Sequence, residues 1–222
     1  DKCVVMLPNG VEWVVSWLGI AISGAAAVPI YPDLGSGDAN NIARQSESRF
    51  AVIGLGALSK LDLRHFDRIV VVPPVDTPPE AIAEALSRLA GRGIPYEEVC
   101  SHVSDADREA ILGADVRAND VASIVYTSGT MGDPKGVMLS HRNLLSNALA
   151  GLATTGVSTR DTVLLVLPLH HCYPFTAAMV APMTGGAGVF FENDLRRIRD
   201  RLAEIHPTML FGVPALYAQI YR

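Results

Sequence analysis

The chain has 222 residues, 49% of them hydrophobic and 18% charged, with a formal net charge of −5. That composition suits one sizeable folded core and excludes a largely disordered protein. The acidic balance gives no reason to expect nucleic acid or an anionic membrane as partner. Cys3, Cys100 and Cys172 are odd in number and widely spaced, which fits reduced thiols in a cytoplasmic protein better than a disulfide framework.

In chain order, Val4–Leu7 reads as a short buried strand stopped by the turn Pro8-Asn9-Gly10. With no initiator Met, basic leader or cleavage signal before it, the chain is expected to open inside a fold. Trp13–Ile30 is the only stretch apolar enough to raise a membrane span. Glu12, two internal glycines and Pro29 argue instead for a helix over 11–23, a Gly24 C-cap and a buried strand over 26–31. A helix over 39–48 and strands at Phe50–Gly54 and Arg68–Val72 follow. Strand–helix–strand alternation with short turns predicts a layered α/β fold, a mostly parallel sheet covered by helices on both faces.

Residues 73–119 change texture: two Pro-Pro pairs bracket a loop, 79–92 reads as a helix with Pro in its first turn, and the remainder is acidic and weakly periodic. They are expected to form a peripheral, helical connection between an α/β segment at 1–72 and a second at 120–222. In the second segment, 123–126 is a strand and 135–139 a short one. Ser140 is positioned to cap a helix reaching about Thr154. Strands at 162–167, 189–191 and 208–212 and helices at 175–183, 194–205 and from Pro214 onward complete the pattern.

The chemistry concentrates in Tyr126–Gly136, YTSGTMGDPKG. Thr127, Ser128 and Thr130 bring hydroxyls; Gly129, Gly132 and Gly136 lack the Cβ that would hold a ligand off the backbone. Bare N–H groups in a turn after a buried strand make an anion-binding concavity, and Lys135 adds a cation beside the stiffening Pro134. The combination predicts a polyphosphate clamp; an ordinary exposed hairpin is the bland alternative. It is not the common NTPase loop, because Lys135 is followed by Gly136 and not by Ser or Thr. No G-x-G-x-x-G follows a strand, so a Rossmann dinucleotide site has no support.

The run YTSGTMGDPKGVMLSH resembles the signature loop of the adenylate-forming (AMP-binding) superfamily, which includes acyl-CoA synthetases, firefly luciferase and the adenylation domains of peptide synthetases. The opening LPNGVEWVVSWLGIAISGAAAVPIYP, then LPLHHCYPF, then HPTMLFGVPALY resemble further family segments in the family's order, so the likeness covers the whole chain. The pairing of the loop with LPLHHCYPF looks most like the long-chain fatty acyl-CoA ligases. Those join a fatty acid to ATP, giving acyl-AMP and pyrophosphate, and pass the acyl group to CoA.

The resemblance implies that Thr127, Ser128, Gly129, Thr130, Gly132 and Lys135 hold the β- and γ-phosphates of ATP, with Thr130 near Mg2+. Met131 stands where the family usually has a second Thr. A thioether donates no hydrogen bond, so that contact to phosphate is expected to be weakened or rearranged. His171 matches the family position near the substrate carboxylate and α-phosphate; a His170–His171 pair capping the strand turn is the alternative. Zinc at Cys172 is disfavoured, since adjacent residues rarely converge on one ion. Tyr173, Phe175, Met179, Val180 and Met183 either line an acyl tunnel or pack a core, and Phe211 and Gly212 face the substrate on resemblance only. Arg196, Arg197, Arg199 and Arg201 read as one solvated helix face.

The family's Tyr-Gly-x-Thr-Glu motif, its ribose-binding Asp and its late lysine are not in this sequence, whose only lysines are Lys2, Lys60 and Lys135. The expectation is a partial N-terminal adenylation domain that presents the phosphate loop but does not complete the reaction by itself. A fatty acyl-AMP ligase, another carboxylate-adenylating domain, a non-catalytic nucleotide-binding module and a purely structural role for the loop remain the alternatives.

Overall fold

The computed structural model describes residues 1–101, 103–127 and 134–220. They form two compact units, 1–140 and 141–222. In the first, strands β1 (Lys2–Met6), β2 (Ala26–Pro29), β3 (Phe50–Gly54), β4 (Arg68–Val72), β5 (Gly93–Pro95), β6 (Val121–Thr127) and β7 (Lys135–Ser140) make one sheet in the order β5-β4-β3-β1-β2-β6-β7. Every neighbouring pair is parallel except β6–β7, which forms an antiparallel hairpin. The mostly parallel α/β layering expected from the alternating pattern is what the chain adopts.

Parallel strands need crossover connections, and these carry helices to both faces of the sheet. Helix α1 (Val11–Ile22) lies on one face, where the indole Nε1 of Trp17 donates to Ser123 Oγ on β6 at 2.9 Å. Gly24, at φ +77°, takes the left-handed conformation that lets the chain leave α1 and re-enter the sheet. Helix α2 (Ser36–Gln45) covers the opposite face through Ala39, Ile42 and Ala43, packed with Val4, Met6, Val28, Ile30 and Ile53. It begins three residues before the predicted start and stops ahead of Glu47, whose φ of +55° is incompatible with a further turn.

Helix α3 (Pro79–Ser87) is shorter than predicted. Ala90 and Gly91 both have positive φ, and the reversal feeds β5, a strand too short and too apolar-poor to be read in advance. Helices α4 (Tyr96–Ser101) and α5 (Asp105–Leu112) follow, the latter opened by a reciprocal Ser104–Asp107 capping box. No helix among the described residues is long and apolar enough to cross a membrane.

In the second unit, β8 (Thr162–Leu165) lies between β10 (Met209–Leu210) and β9 (Gly188–Phe191) in a parallel three-stranded sheet. Helix α6 (His141–Thr155) packs against the segment Pro174–Val180, wound as a π-helix, and against α7 (Ala181–Gly185). Gly185 allows that approach, since a Cβ there would lie 2.8 Å from Cδ2 of Leu152. Helices α8 (Ile198–Ile205) and α9 (Pro214–Ile220) bury Ile198, Leu202 and Leu216 on Leu164 and Val166.

Candidate nucleotide site

The six parallel strands of the first unit point their C-terminal ends to the edge where open α/β sheets gather ligands. β6 is buried from Ala122 to Val125 and emerges at Thr127; β7 returns from Lys135. Thr127 and Lys135 are directly opposed, the last pair of the hairpin before the loop it closes. Opposed residues of an antiparallel pair share one face of the sheet, so a hydroxyl and an ammonium stand side by side at the loop's mouth. Both are exposed. Of the phosphate-loop candidates, Thr127 and Lys135 are therefore brought together. Ser128, Gly129, Thr130, Met131 and Gly132 lie outside the described residues.

The other two lysines are engaged elsewhere. Lys2 pairs with Glu47 at 3.1 Å, and Lys60 lies 3.6 Å from Asp33. Among the described residues, Lys135 has no ion-pair partner.

Gly136 has a role different from the one expected of it. A Cβ there would lie 2.9 Å from Cγ2 of Ile124 and 3.1 Å from Cζ of Tyr126. The missing side chain makes room for the Tyr126 ring across the hairpin, on the face away from Lys135, and not for a ligand. Burial pushes the Tyr126 phenol pKa up, keeping the ring neutral in its slot. Gly136→Ala is expected to cost about 1–2 kcal/mol by overpacking, read as a lower urea midpoint; an unchanged midpoint would show that Tyr126 swings aside freely.

In the second unit, Pro168 ends the run that follows β8 and begins a turn closed by the His171 N–H on the Pro168 carbonyl at 3.2 Å. His171 is exposed in that turn, beyond the end of β8 at Leu165. The His170 and His171 rings are tilted at 46° with centroids 4.0 Å apart. Burial, and secondarily the neighbouring His171, lowers the His170 pKa to about 4, so His170 is neutral at pH 7.

Cys172 follows with its thiol pKa raised by burial. No cluster of three or more potential metal-binding side chains occurs among the described residues. Of the apolar candidates, Phe175 and Met179 are fully buried, whereas Tyr173 and Met183 are exposed. Phe175 and Met179 lie within the π-helix, Tyr173 just before it and Met183 beyond it in α7.

Of the four arginines expected on a solvated face, Arg196, Arg197 and Arg199 are exposed and Arg201 is partly buried. Arg196 grips Asp194 with two nitrogens, and Arg199 donates to the Ile220 carbonyl. Arg201 bonds the buried Glu192 at 2.9 Å and Glu204 at 2.6 Å. Glu192 was missed because a single acidic residue after a strand carries no signal of its partners nine residues on.

The AMP-binding enzyme family matches residues 1–222. Over 105 residues, 47% of the chain, it is 38% identical to the peroxisomal long chain acyl-CoA synthetase 6 of Arabidopsis thaliana. Over 99% of the chain it is 25% identical to 4-coumarate-CoA ligase 1 of Narcissus pseudonarcissus. Its fold matches the inhibitor-bound N-terminal domain of FACL13 from Mycobacterium tuberculosis with a TM-score of 0.74 and 24% identity over 100% of the chain. The matches account for 15%, 39% and 52% of those three proteins' lengths. With a family match running from the first residue to the last, and a hairpin that sets Thr127 beside Lys135, this chain belongs to the AMP-binding enzymes.

Proposed function

We propose that this chain is the phosphate-holding part of an ATP-dependent acid–thiol ligase that acts on long-chain fatty acids. The reaction joins the fatty carboxylate to the α-phosphorus of ATP, expels pyrophosphate, and then passes the acyl group from AMP to the thiol of CoA. The observation that carries this reading is the Thr127–Lys135 pair at the C-terminal edge of a buried parallel sheet. A hydroxyl and a cation in that place suit the negative charge that builds on the departing pyrophosphate. ATP therefore fits the residues present. Magnesium belongs to the proposal as the counter-ion ATP brings with it; Thr130, its expected neighbour, is outside the described residues.

His171 is assigned to the substrate carboxylate. His170 beside it is neutral and brings no charge of its own to that carboxylate. The preference for a fatty acid is supported by the 38% identity to an acyl-CoA synthetase over nearly half the chain. An aryl acid is the second reading, favoured by the 4-coumarate relative that aligns over nearly the whole chain. Taken alone, the 222 residues are expected to bind ATP without completing the exchange, since the family's Tyr-Gly-x-Thr-Glu motif and late lysine are not among them.

Titration of the full chain with ATP tests the clamp. Lys135→Ala is expected to weaken binding about 10-fold, the effect of losing roughly one charge-assisted hydrogen bond. Binding that ignores the substitution would remove the clamp. Carboxylate-dependent ATP–pyrophosphate exchange by this chain at ordinary enzyme rates would refute the incomplete-reaction reading. In the whole protein, exchange driven by 4-coumarate and not by palmitate would decide for the aryl acid.

A further inference from the structure

The hairpin that sets Thr127 beside Lys135 lacks most of what ordinarily fixes the register of a strand. A buried face does so, because a one-residue slip turns it to solvent. β7 has no fully buried residue: Lys135 to Met138 are exposed, and Leu139 and Ser140 are half-buried. A two-residue turn also locks register, but seven residues, 128–134, join Thr127 to Lys135. Nor is the pairing continuous from the other end. Val121 and Ser123 oppose the consecutive Ser140 and Leu139, so β6 carries one residue more than β7 there.

What remains is a notch between Tyr126 and Gly136. The two are opposed, and Ile124, paired with Met138, is the diagonal neighbour of Gly136 on the same face. Ile124 belongs to the core of the sheet, and Tyr126 packs against that core. A Cβ at position 136 would lie 2.9 Å from Ile124 Cγ2, 3.1 Å from Tyr126 Cζ and 3.3 Å from Tyr126 Cε2. The ring thus lies close over the bare Cα. Gly136 is the one glycine of β7. A slip of one residue brings Lys135 or Val137 opposite Tyr126, with a side chain where a Cβ has no room. The same slip turns Lys135 onto the Tyr126 face and away from Thr127.

We propose that Tyr126 is a positioning residue of the nucleotide site: with Ile124 its ring accepts glycine and nothing larger across the hairpin, and so fixes the register in which Lys135 stands opposite Thr127. The ring works from the face away from Lys135 and acts on ATP through that lysine. The inference rests on the ATP reading above.

The test takes two readouts on the full chain, with folding of every variant checked by circular dichroism. The first is the NMR nuclear Overhauser contact between the methyls of Val125 and Val137, which are opposed in this register. Tyr126→Ala is expected to weaken that contact to about half or less as other registers become populated. The second is ATP affinity in a double-mutant cycle. Tyr126→Ala is expected to raise Kd about 5-fold, part of the roughly 10-fold lost with Lys135→Ala. In the Lys135→Ala background the same change is expected to add less than about 2-fold. Tyr126→Phe keeps the ring and is expected to stay within about 2-fold of wild type, with the contact intact. An undiminished Val125–Val137 contact in Tyr126→Ala would overturn the inference. An unchanged Kd in Tyr126→Ala beside a weakened Lys135→Ala would overturn it and leave the ATP reading standing. A loss that repeats in full in the Lys135→Ala background would overturn it too, since Tyr126 would then act on ATP independently of the lysine. Unchanged affinity in Lys135→Ala would defeat the ATP reading and the positioning role together.

Discussion

Trp17→Ala is expected to destabilise the first unit by about 3–5 kcal/mol, the range for truncating a buried aromatic side chain. Trp17 is only 7% exposed, and its indole N–H is the donor to Ser123 Oγ on a residue with no exposure at all. Truncation therefore opens a void under α1 and leaves a buried hydroxyl without that donor. Trp17→Phe separates the two losses: most of the ring stays, and the expected cost falls to about 1–3 kcal/mol, the penalty for the unsatisfied hydroxyl. Urea denaturation followed by fluorescence of the remaining Trp13 measures both. If Trp17→Ala cost no more than Trp17→Phe, packing of α1 on β6 would not be what holds that helix. The consequence reaches the site, because Ser123 lies four residues before Thr127 on the same strand. A looser α1 is expected to weaken ATP binding in proportion to the lost alignment of β6.

Much of this architecture was legible because its signals are local. Phe50–Gly54 and Arg68–Val72 are apolar runs bounded by polar turns, and both are strands with the predicted bounds. The strands on either side of the loop, at 123–126 and 135–139, were legible as short runs, but their antiparallel pairing up to Thr127 and Lys135 was not. What escaped depends on partners distant in sequence. Gly136 looked like a glycine left bare for a ligand; its reason is a ring ten residues back, across the hairpin. The π-helix at Pro174–Val180 escaped because apolar spacing cannot tell a wide turn from a regular one. Arg201 read as a surface charge because the carboxylate it satisfies comes from the end of β9.

Glu192 sets the second large effect. Its side chain is 7% exposed and accepts from the Asp194 N–H at 2.8 Å and from Arg201 at 2.9 Å, with Arg197 3.9 Å away. Burial alone would raise its pKa; the Asp194 N–H and the two arginines outweigh that and hold it below its ordinary value near 4.5. Glu192→Ala is expected to cost about 2–3 kcal/mol, less than the 3–5 of a fully buried pair because water still reaches Arg201. The sign of the pH dependence follows from the lowered pKa. The ionised form is favoured by folding, so the contribution is complete above about pH 4.5 and is lost as the pH falls through the folded-state value. Asp161, held down by Ser158 and Thr208, and Asp194, held to about 2 by Arg196, lose their contributions in the same direction. Glu192→Gln should therefore narrow the gap between urea midpoints at pH 7 and pH 4 without closing it. A gap as wide as that of wild type would mean that Glu192 is not an acid-sensitive tie between β9 and α8. This tie bears on the site as well as on stability: β9 pairs directly with β8, the strand that precedes the turn carrying His171.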